Sequence, residues 1–204
     1  MPTSTKLHWL AGSDEQLRQP VLRVVAAVVD AGGAVGWVGG ATSQELEDWY
    51  DDRLADVATG RCRVALALDE GGTVQALGRW QWMPAPVRRH GALVAQVMAH
   101  PDARGQGLAR LIVGALIDDA RAAGVEQLVL EVRGNNHGAE SLYRSLGFRE
   151  VGVLPDAVAV GEHRFDLVTY QLELGLPASA VRHGRRPEGP GAITGAESLP
   201  QAST

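Results

Sequence analysis

The chain has a single cysteine among its 204 residues. Cys62 cannot close an intrachain disulfide, which excludes a disulfide-stapled fold and predicts a cytoplasmic, reducing environment. Long hydrophobic runs are also missing. No apolar stretch approaches the roughly 20 residues needed to cross a bilayer, so no membrane association is expected. The opening segment MPTSTKLHWLAGSDEQ lacks a cationic stretch followed by an apolar one, which predicts no signal peptide. Positive charge is not in excess. Nineteen Lys and Arg against 24 Asp and Glu give a formal charge of −5, with no broad electrostatic reason to bind nucleic acid. The six histidines show no metal-ligand spacing, so no metal site is predicted. There is no internal repeat.

What is present is the composition of an ordinary folded domain, 45% apolar and 21% charged. Residues 1–175 are read as one domain with enough volume for a sizeable core. Residues 176–204 are rich in Gly, Pro, Ser and Ala without periodicity, and are expected to form a disordered tail. Leu17, Val21, Val24, Val25, Val28 and Val29 recur at helical spacing and predict a first helix over about 14–31. A loop, GGAVGWVGG, follows around Trp37. Thr42 with Glu45 is a capping-box pattern opening a second helix to about Ala58, with Leu46, Trp49, Leu54 and Val57 expected on its buried side. Residues 61–68 and 73–82 read as a hairpin over Asp-Glu-Gly-Gly. A strand over 93–99, a helix with an apolar face from Leu108 through Leu111 to Ala120, a strand over 125–133, a short helix to Leu146 and strands over 148–153 and 165–174 complete the domain.

The stretch VMAHPDARGQGLAR, residues 97–110, carries the clearest chemistry. A strand ends at Pro101, a turn holds two glycines, and a helix begins with almost no linker. Glycine lets the backbone fold back and expose its N–H groups. The new helix adds unpaired N–H groups and a partial positive charge. Together they form a cradle for a phosphate or pyrophosphate. The turn lacks the Gly-Lys-Ser/Thr of a P-loop, and it lacks the third glycine and early position of a dinucleotide fingerprint.

Arg104, Gly107 and Ala109 fill the pattern Arg/Gln-x-x-Gly-x-Gly/Ala. Further on, LVLEVRGNNHGAESLYRSLGF places Asn136, Leu142, Tyr143, Leu146, Gly147 and Phe148 at the positions of a second pattern. In both motifs and in their spacing, from about Leu93 to Phe148, the chain resembles the GCN5-related N-acetyltransferases (GNAT). The resemblance implies an α/β (α+β) fold. Its sheet is mixed but mostly antiparallel, flanked by helices and splayed between the two central strands. It also implies acetyl-CoA as acetyl donor. The backbone of Arg104, Gly105, Gln106, Gly107, Leu108, Ala109 and Arg110 would hold the pyrophosphate. Val97, Met98 and Ala99 would pair with the pantetheine arm, much as a peptide adds to a sheet edge, and the N–H nearest Met98 would polarise the acetyl carbonyl. Asn136 would bond the pantetheine, cap its helix, or do both.

Acetyl transfer to an amine requires a proton donor for the departing thiolate and a proton acceptor for the amine. Tyr143 occupies the family's usual donor position, and a phenol with a reference pKa of about 10 is protonated at neutral pH. Its other reading is a core aromatic. Glu131, in EVRGNN, resembles the presumed base of the ribosomal-protein alanine N-acetyltransferases, against the alternative of a solvent-facing strand residue. His100 is read as structural and His163 as a surface histidine. Trp80 and Trp82 share one strand face and would either line an acceptor pocket or pack in the core.

DAGGAVGW, LADVATG and HPDARGQGLAR also resemble the tabtoxin-resistance acetyltransferases, which implies a small-molecule amine acceptor. Protein N-terminal or lysine acetylation is the alternative, and a non-catalytic acetyl-CoA-binding module is a reading of another class. Exposed sheet edges are compatible with a homodimer.

Overall fold

The computed structural model describes residues 5–33, 35–37 and 40–175. The expected tail, 176–204, lies outside the described residues. The elements run β1 (Lys6–Trp9), α1 (Arg18–Asp30), α2 (Ser43–Ala58), β2 (Cys62–Leu68), β3 (Val74–Trp82), β4 (Gly91–Ala99), α3 (Leu108–Ala122), β5 (Gln127–Arg133), α4 (His137–Ser145), β6 (Arg149–Val160) and β7 (His163–Glu173). The strands form one sheet in the order β1-β2-β3-β4-β5-β7-β6. Every neighbouring pair is antiparallel except β4 with β5. This is the mixed, helix-flanked sheet expected from the motifs.

Each helix takes its side of the sheet from its apolar stripe. Val21, Val24, Val25, Val28 and Val29 fall on one face of α1 and are all buried. With Leu46 and Tyr50 of α2 they cover Cys62, Val64 and Leu66 of β2, Leu77 of β3 and Met98 of β4. Each such side chain contributes about 1.5–3 kcal/mol when fully buried. On the opposite face, Ile112, Val113 and Leu116 of α3 and Tyr143 of α4 pack on Ala76, Trp80, Leu128, Leu130 and Val132. Side chains alternate along a strand, so Leu77 and Gln81 of β3 share the first face with Arg79 between them. Gly78 is where α3 comes closest: a Cβ there would lie 2.6 Å from Cγ2 of Ile112.

Thr42 caps α2 as a capping box. Its Oγ1 accepts the Glu45 N–H at 3.2 Å while Glu45 Oε2 accepts the Thr42 N–H at 2.8 Å. Four details differ from the sequence reading. β1 was not anticipated, because four residues are too few for a periodicity to show. Tyr50 rather than Trp49 is the wholly buried aromatic of α2, its hydroxyl donating to the Asp14 carbonyl at 2.9 Å. Leu111, placed on the buried face of α3, is exposed. β6 extends to Val160 rather than Val153 and is exposed along most of its length.

Two irregularities shape the centre of the sheet. The β3–β4 register slips between Leu77↔Met98 and Arg79↔Ala95, so β4 carries one extra residue opposite Gly78. This β-bulge puts Gln96 at φ 54, in the left-handed region. β4 and β5 then pair only from Gly91↔Gln127 to Leu93↔Val129. Beyond those three pairs the strands diverge. The second half of β4 and the end of β5 face each other across a gap with unpaired backbone edges.

Candidate active site

The gap between β4 and β5 opens into a cavity of about 740 Å³. Its walls are the β4 segment from Leu93 to Ala99 and the β5 segment from Leu130 to Arg133. Gly32, Gly33, Val35 and Gly36, in the loop after α1, close one side. Asn136 and Tyr143 of α4 line another, and Arg104 lines it at the turn into α3. Of the sequence-predicted residues, Val97, Met98, Ala99, Arg104, Glu131, Asn136 and Tyr143 therefore share one cavity.

Gly105, Gln106, Gly107, Leu108, Ala109 and Arg110 follow directly after Arg104. Gly105 and Gly107 have φ values of 78° and 79°, which an L side chain rarely adopts. A Cβ built on either would meet no protein atom within 4 Å, so the space above the turn is open. Gly107 is the N-cap of α3, and its carbonyl takes the Leu111 N–H at 3.1 Å. The N–H groups of Leu108, Ala109 and Arg110 precede the first intrahelical bond and have no acceptor within the helix. An open space above a row of unpaired N–H groups and a helix N-terminus fits a pyrophosphate. The Arg110 side chain does not share in this. It reaches α4, where Nη2 donates to Oγ of Ser145 at 2.6 Å.

Tyr143 is 8% exposed and packs edge-to-face on Phe148, with ring centroids 5.7 Å apart. Burial pushes its phenol up to about 12, because the charged phenolate is disfavoured away from water. The hydroxyl thus stays protonated at any physiological pH. Glu131 projects from the face of β5 opposite the buried Leu130 and Val132, and is exposed where it lines the cavity. It has no ion-pair partner among the described residues. Asn136 caps α4, with Oδ1 accepting the Ala139 N–H at 3.2 Å. Its amide NH₂ is the group left to meet a ligand.

His100 has the structural part expected of it, its Nδ1 accepting the Asp102 N–H at 3.3 Å. His163 is exposed on β7. Of the two readings of the tryptophans, core packing holds for Trp80. Trp80 is buried against α3 and donates to Oδ2 of Asp119 at 2.8 Å. Trp82 lines a separate cavity of about 730 Å³ with Arg61 and Arg89. Both face away from the β4–β5 cavity because strand alternation puts them with Ala76, on the α3 side.

Arg79, Gln96 and Trp49 were not singled out as site residues. Gln96 Oε1 accepts from Trp49 Nε1 at 3.2 Å and from Arg79 Nε at 2.6 Å. Trp49 in turn packs edge-to-face on Trp37 of the α1–α2 loop, at 6.2 Å between centroids. The signal available in the sequence was a single arginine inside an otherwise uncharged strand, VQALGRWQW. Among the described residues no three His, Cys, Asp or Glu side chains cluster as a metal site, and no helix is long and apolar enough to cross a membrane.

The chain is similar to several known acetyltransferases. Over 161 residues, 77% of this chain and 91% of the relative, the sequence is 29% identical to the L-methionine sulfoximine/L-methionine sulfone acetyltransferase of Pseudomonas aeruginosa. It is 34% identical over 85 residues to the [ribosomal protein bS18]-alanine N-acetyltransferase of Escherichia coli, a match covering 42% of this chain and only 57% of that relative's length. The fold superposes on a phosphinothricin acetyltransferase from Sinorhizobium meliloti in complex with AcCoA, with a TM-score of 0.72, 19% identity, and 92% of this chain and 97% of that one covered. The model of the acetyltransferase (GNAT) family matches residues 34–148, and the chain belongs to that family.

Proposed function

We propose that this protein is an acetyl-CoA-dependent N-acetyltransferase that transfers the acetyl group directly to a primary amine of a small, amino-acid-like molecule. One observation carries the reading. A single cavity runs from the phosphate-compatible turn at Arg104, along the unpaired edge of β4, to a buried phenol and an exposed carboxylate. The cosubstrate supplies an acetyl thioester. The backbone of Gly105 to Arg110 holds its pyrophosphate, the edge of Val97 to Ala99 pairs with its amides, and the Asn136 amide bonds the same arm. The N–H nearest Met98 polarises the carbonyl, a form of oxyanion stabilisation.

Glu131 accepts a proton from the incoming ammonium group, directly or through water. The amine nitrogen then bonds the carbonyl carbon, the carbon–sulfur bond breaks, and the nitrogen gives up its second proton to solvent to leave a neutral amide. The Tyr143 hydroxyl gives its proton to the departing thiolate and is reprotonated from solvent. Tyr143 also speaks against a non-catalytic acetyl-CoA module, since binding alone requires no buried proton donor at this place.

The preference for a small acceptor is supported by the loop after α1, which closes one side of the cavity, and by the long match to an acetyltransferase of methionine derivatives. Thiol release from acetyl-CoA, measured across amino acids, amino-acid analogues, N-terminal peptides and polyamines, tests the proposal. Turnover with amino-acid-like amines is expected. Release with none of them, or with peptides alone, would overturn it.

A further inference from the structure

Arg79 is 8% exposed and lines the β4–β5 cavity. A buried cation is ordinarily matched by a carboxylate, and among the described residues none lies within ion-pair distance of it. The oxygens that meet the guanidinium are both neutral amides. Nε donates to Gln96 Oε1 at 2.6 Å, and Nη1 donates to Gln81 Oε1. Nη2 has no oxygen acceptor among the described residues.

The buried Cys62 sulfur is the guanidinium's other side-chain partner, and the surroundings offset the charge only in part. Arg53 lies close enough to interact with Arg79, and its own Nε is buried without a hydrogen-bond partner. Asp56 is the carboxylate that bears on Arg79. It is already engaged by Arg53 Nη2 at 3.0 Å and by Arg61 Nη2 at 2.8 Å. The two glutamine amides fix the guanidinium plane and leave it without a carboxylate partner among the described residues. A planar fork held in this way is complementary to a carboxylate.

Arg79 sits opposite Ala95 in the register, next to the Gln96 bulge. Glu131 lines the same cavity from β5, and the open edge of β4 runs between the two strands. We propose that Arg79 is the specificity-determining residue for the acceptor and binds a carboxylate adjacent to the amine that is acetylated, so that the substrates are α-amino acids rather than simple amines. This rests on the acetyl-transfer reading above. It adds a requirement that reading does not contain: the acceptor must be an acid. With its carboxylate on Arg79, an α-amino acid turns its ammonium group toward the Glu131 side of the cavity.

The competing role for Arg79 is to hold the bulge through Gln96, and the experiment separates the two. The best α-amino acid found by thiol release is compared with its primary amide and its decarboxylated amine, using wild type, Arg79→Gln and Arg79→Lys. Wild type is expected to favour the acid over the amide by about 100-fold in kcat/KM, the scale for losing one partner of a desolvated charge pair. Arg79→Gln should lower kcat/KM for the acid by a similar factor, chiefly through KM. The amide should change less than about threefold, KM for acetyl-CoA should not move, and Arg79→Lys should restore part of the preference.

Equal losses for acid and amide would show that Arg79 acts through the bulge, and would overturn the proposal. So would a wild-type enzyme that acetylates acid, amide and amine alike, a result that needs no variant to fold. Turnover of no amine at all would instead sink the acetyl-transfer reading, and this one with it.

Discussion

The indole N–H of Trp49 reaches Oε1 of Gln96 at 3.2 Å, tying α2 to a left-handed residue in the middle of the sheet. Gln96 and Asp156 are the non-glycine residues with positive φ among those described. Holding a residue with a Cβ in that region costs about 1–2 kcal/mol, and the bonds from Trp49 and Arg79 are what the structure offers against that cost. The bulge is therefore a built feature of the cavity wall.

This gives an ordering of variants. Gln96→Ala removes the acceptor shared by Trp49 and Arg79 and keeps the backbone penalty, so a loss of about 1–3 kcal/mol is expected. Gln96→Gly removes the same acceptor but adopts φ 54 without strain. It should be the more stable of the two by about 1 kcal/mol. Denaturant unfolding of both variants checks this, and Gln96→Gly proving equal to or weaker than Gln96→Ala would contradict the bulge geometry.

Much of this architecture was legible in the sequence, for reasons that differ between elements. α1 could be read because five valines repeat at helical spacing, and α2 because Thr42 and Glu45 form a local cap. The glycine turn before α3 could be read because Gly105 and Gly107 lie within a contiguous motif. β1 could not, since its burial comes from pairing with β2 rather than from its own pattern. The side of the sheet taken by Trp80 was equally hidden. Alternation says that Trp80 and Trp82 share a face, but which helix covers that face is decided by distant residues such as Asp119. The link from Arg79 through Gln96 to Trp49 joins two strands and a helix, β3, β4 and α2, and it depends on a one-residue register slip that no local pattern announces.

The acid limb of stability should owe part of its shape to Asp14. Burial alone would raise its carboxyl, but bonds from His8 Nε2 at 2.7 Å, from the Ala11 N–H at 2.8 Å and from Gln16 outweigh that and hold it below the ordinary range. The folded value thus lies below the unfolded value of about 3.9. The resulting stabilisation is complete above the unfolded value and is lost as pH falls through the folded one. Melting temperatures from pH 7 down to pH 2 should fall more steeply for wild type than for Asp14→Asn. Parallel curves would mean that Asp14 does not contribute.

Gly107→Val tests the phosphate cradle. The new side chain meets no protein atom within 4 Å of its Cβ, so the domain should fold, at the cost of backbone strain at φ 79 of about 1–2 kcal/mol. The open space it enters is the one assigned to the pyrophosphate. Wild type at 100 times its dissociation constant for acetyl-CoA should gain about 2.7 kcal/mol. The variant should lose most of that gain at the same ligand concentration. An unchanged thermal shift in a folded Gly107→Val protein would place the phosphates elsewhere.

Tyr143→Phe isolates the proposed proton donor. The ring stays, and with it the edge-to-face contact on Phe148, so neither folding nor acetyl-CoA affinity should change much. Turnover at saturating acetyl-CoA should fall by about 10- to 1000-fold, within the range that general acid catalysis contributes. The pH dependence sharpens the test. Because burial pushes the phenol up to about 12, Tyr143 stays protonated through the alkaline range in which an amine acceptor becomes neutral. Wild-type rates should therefore rise with pH and level off, with no decline from loss of the donor below about pH 10. In Tyr143→Phe the rise should persist at a lower plateau, since deprotonation of the amine does not involve the phenol. A variant with full activity, or one whose profile loses the rise and keeps the plateau, would take Tyr143 out of the mechanism and leave thiolate departure to water.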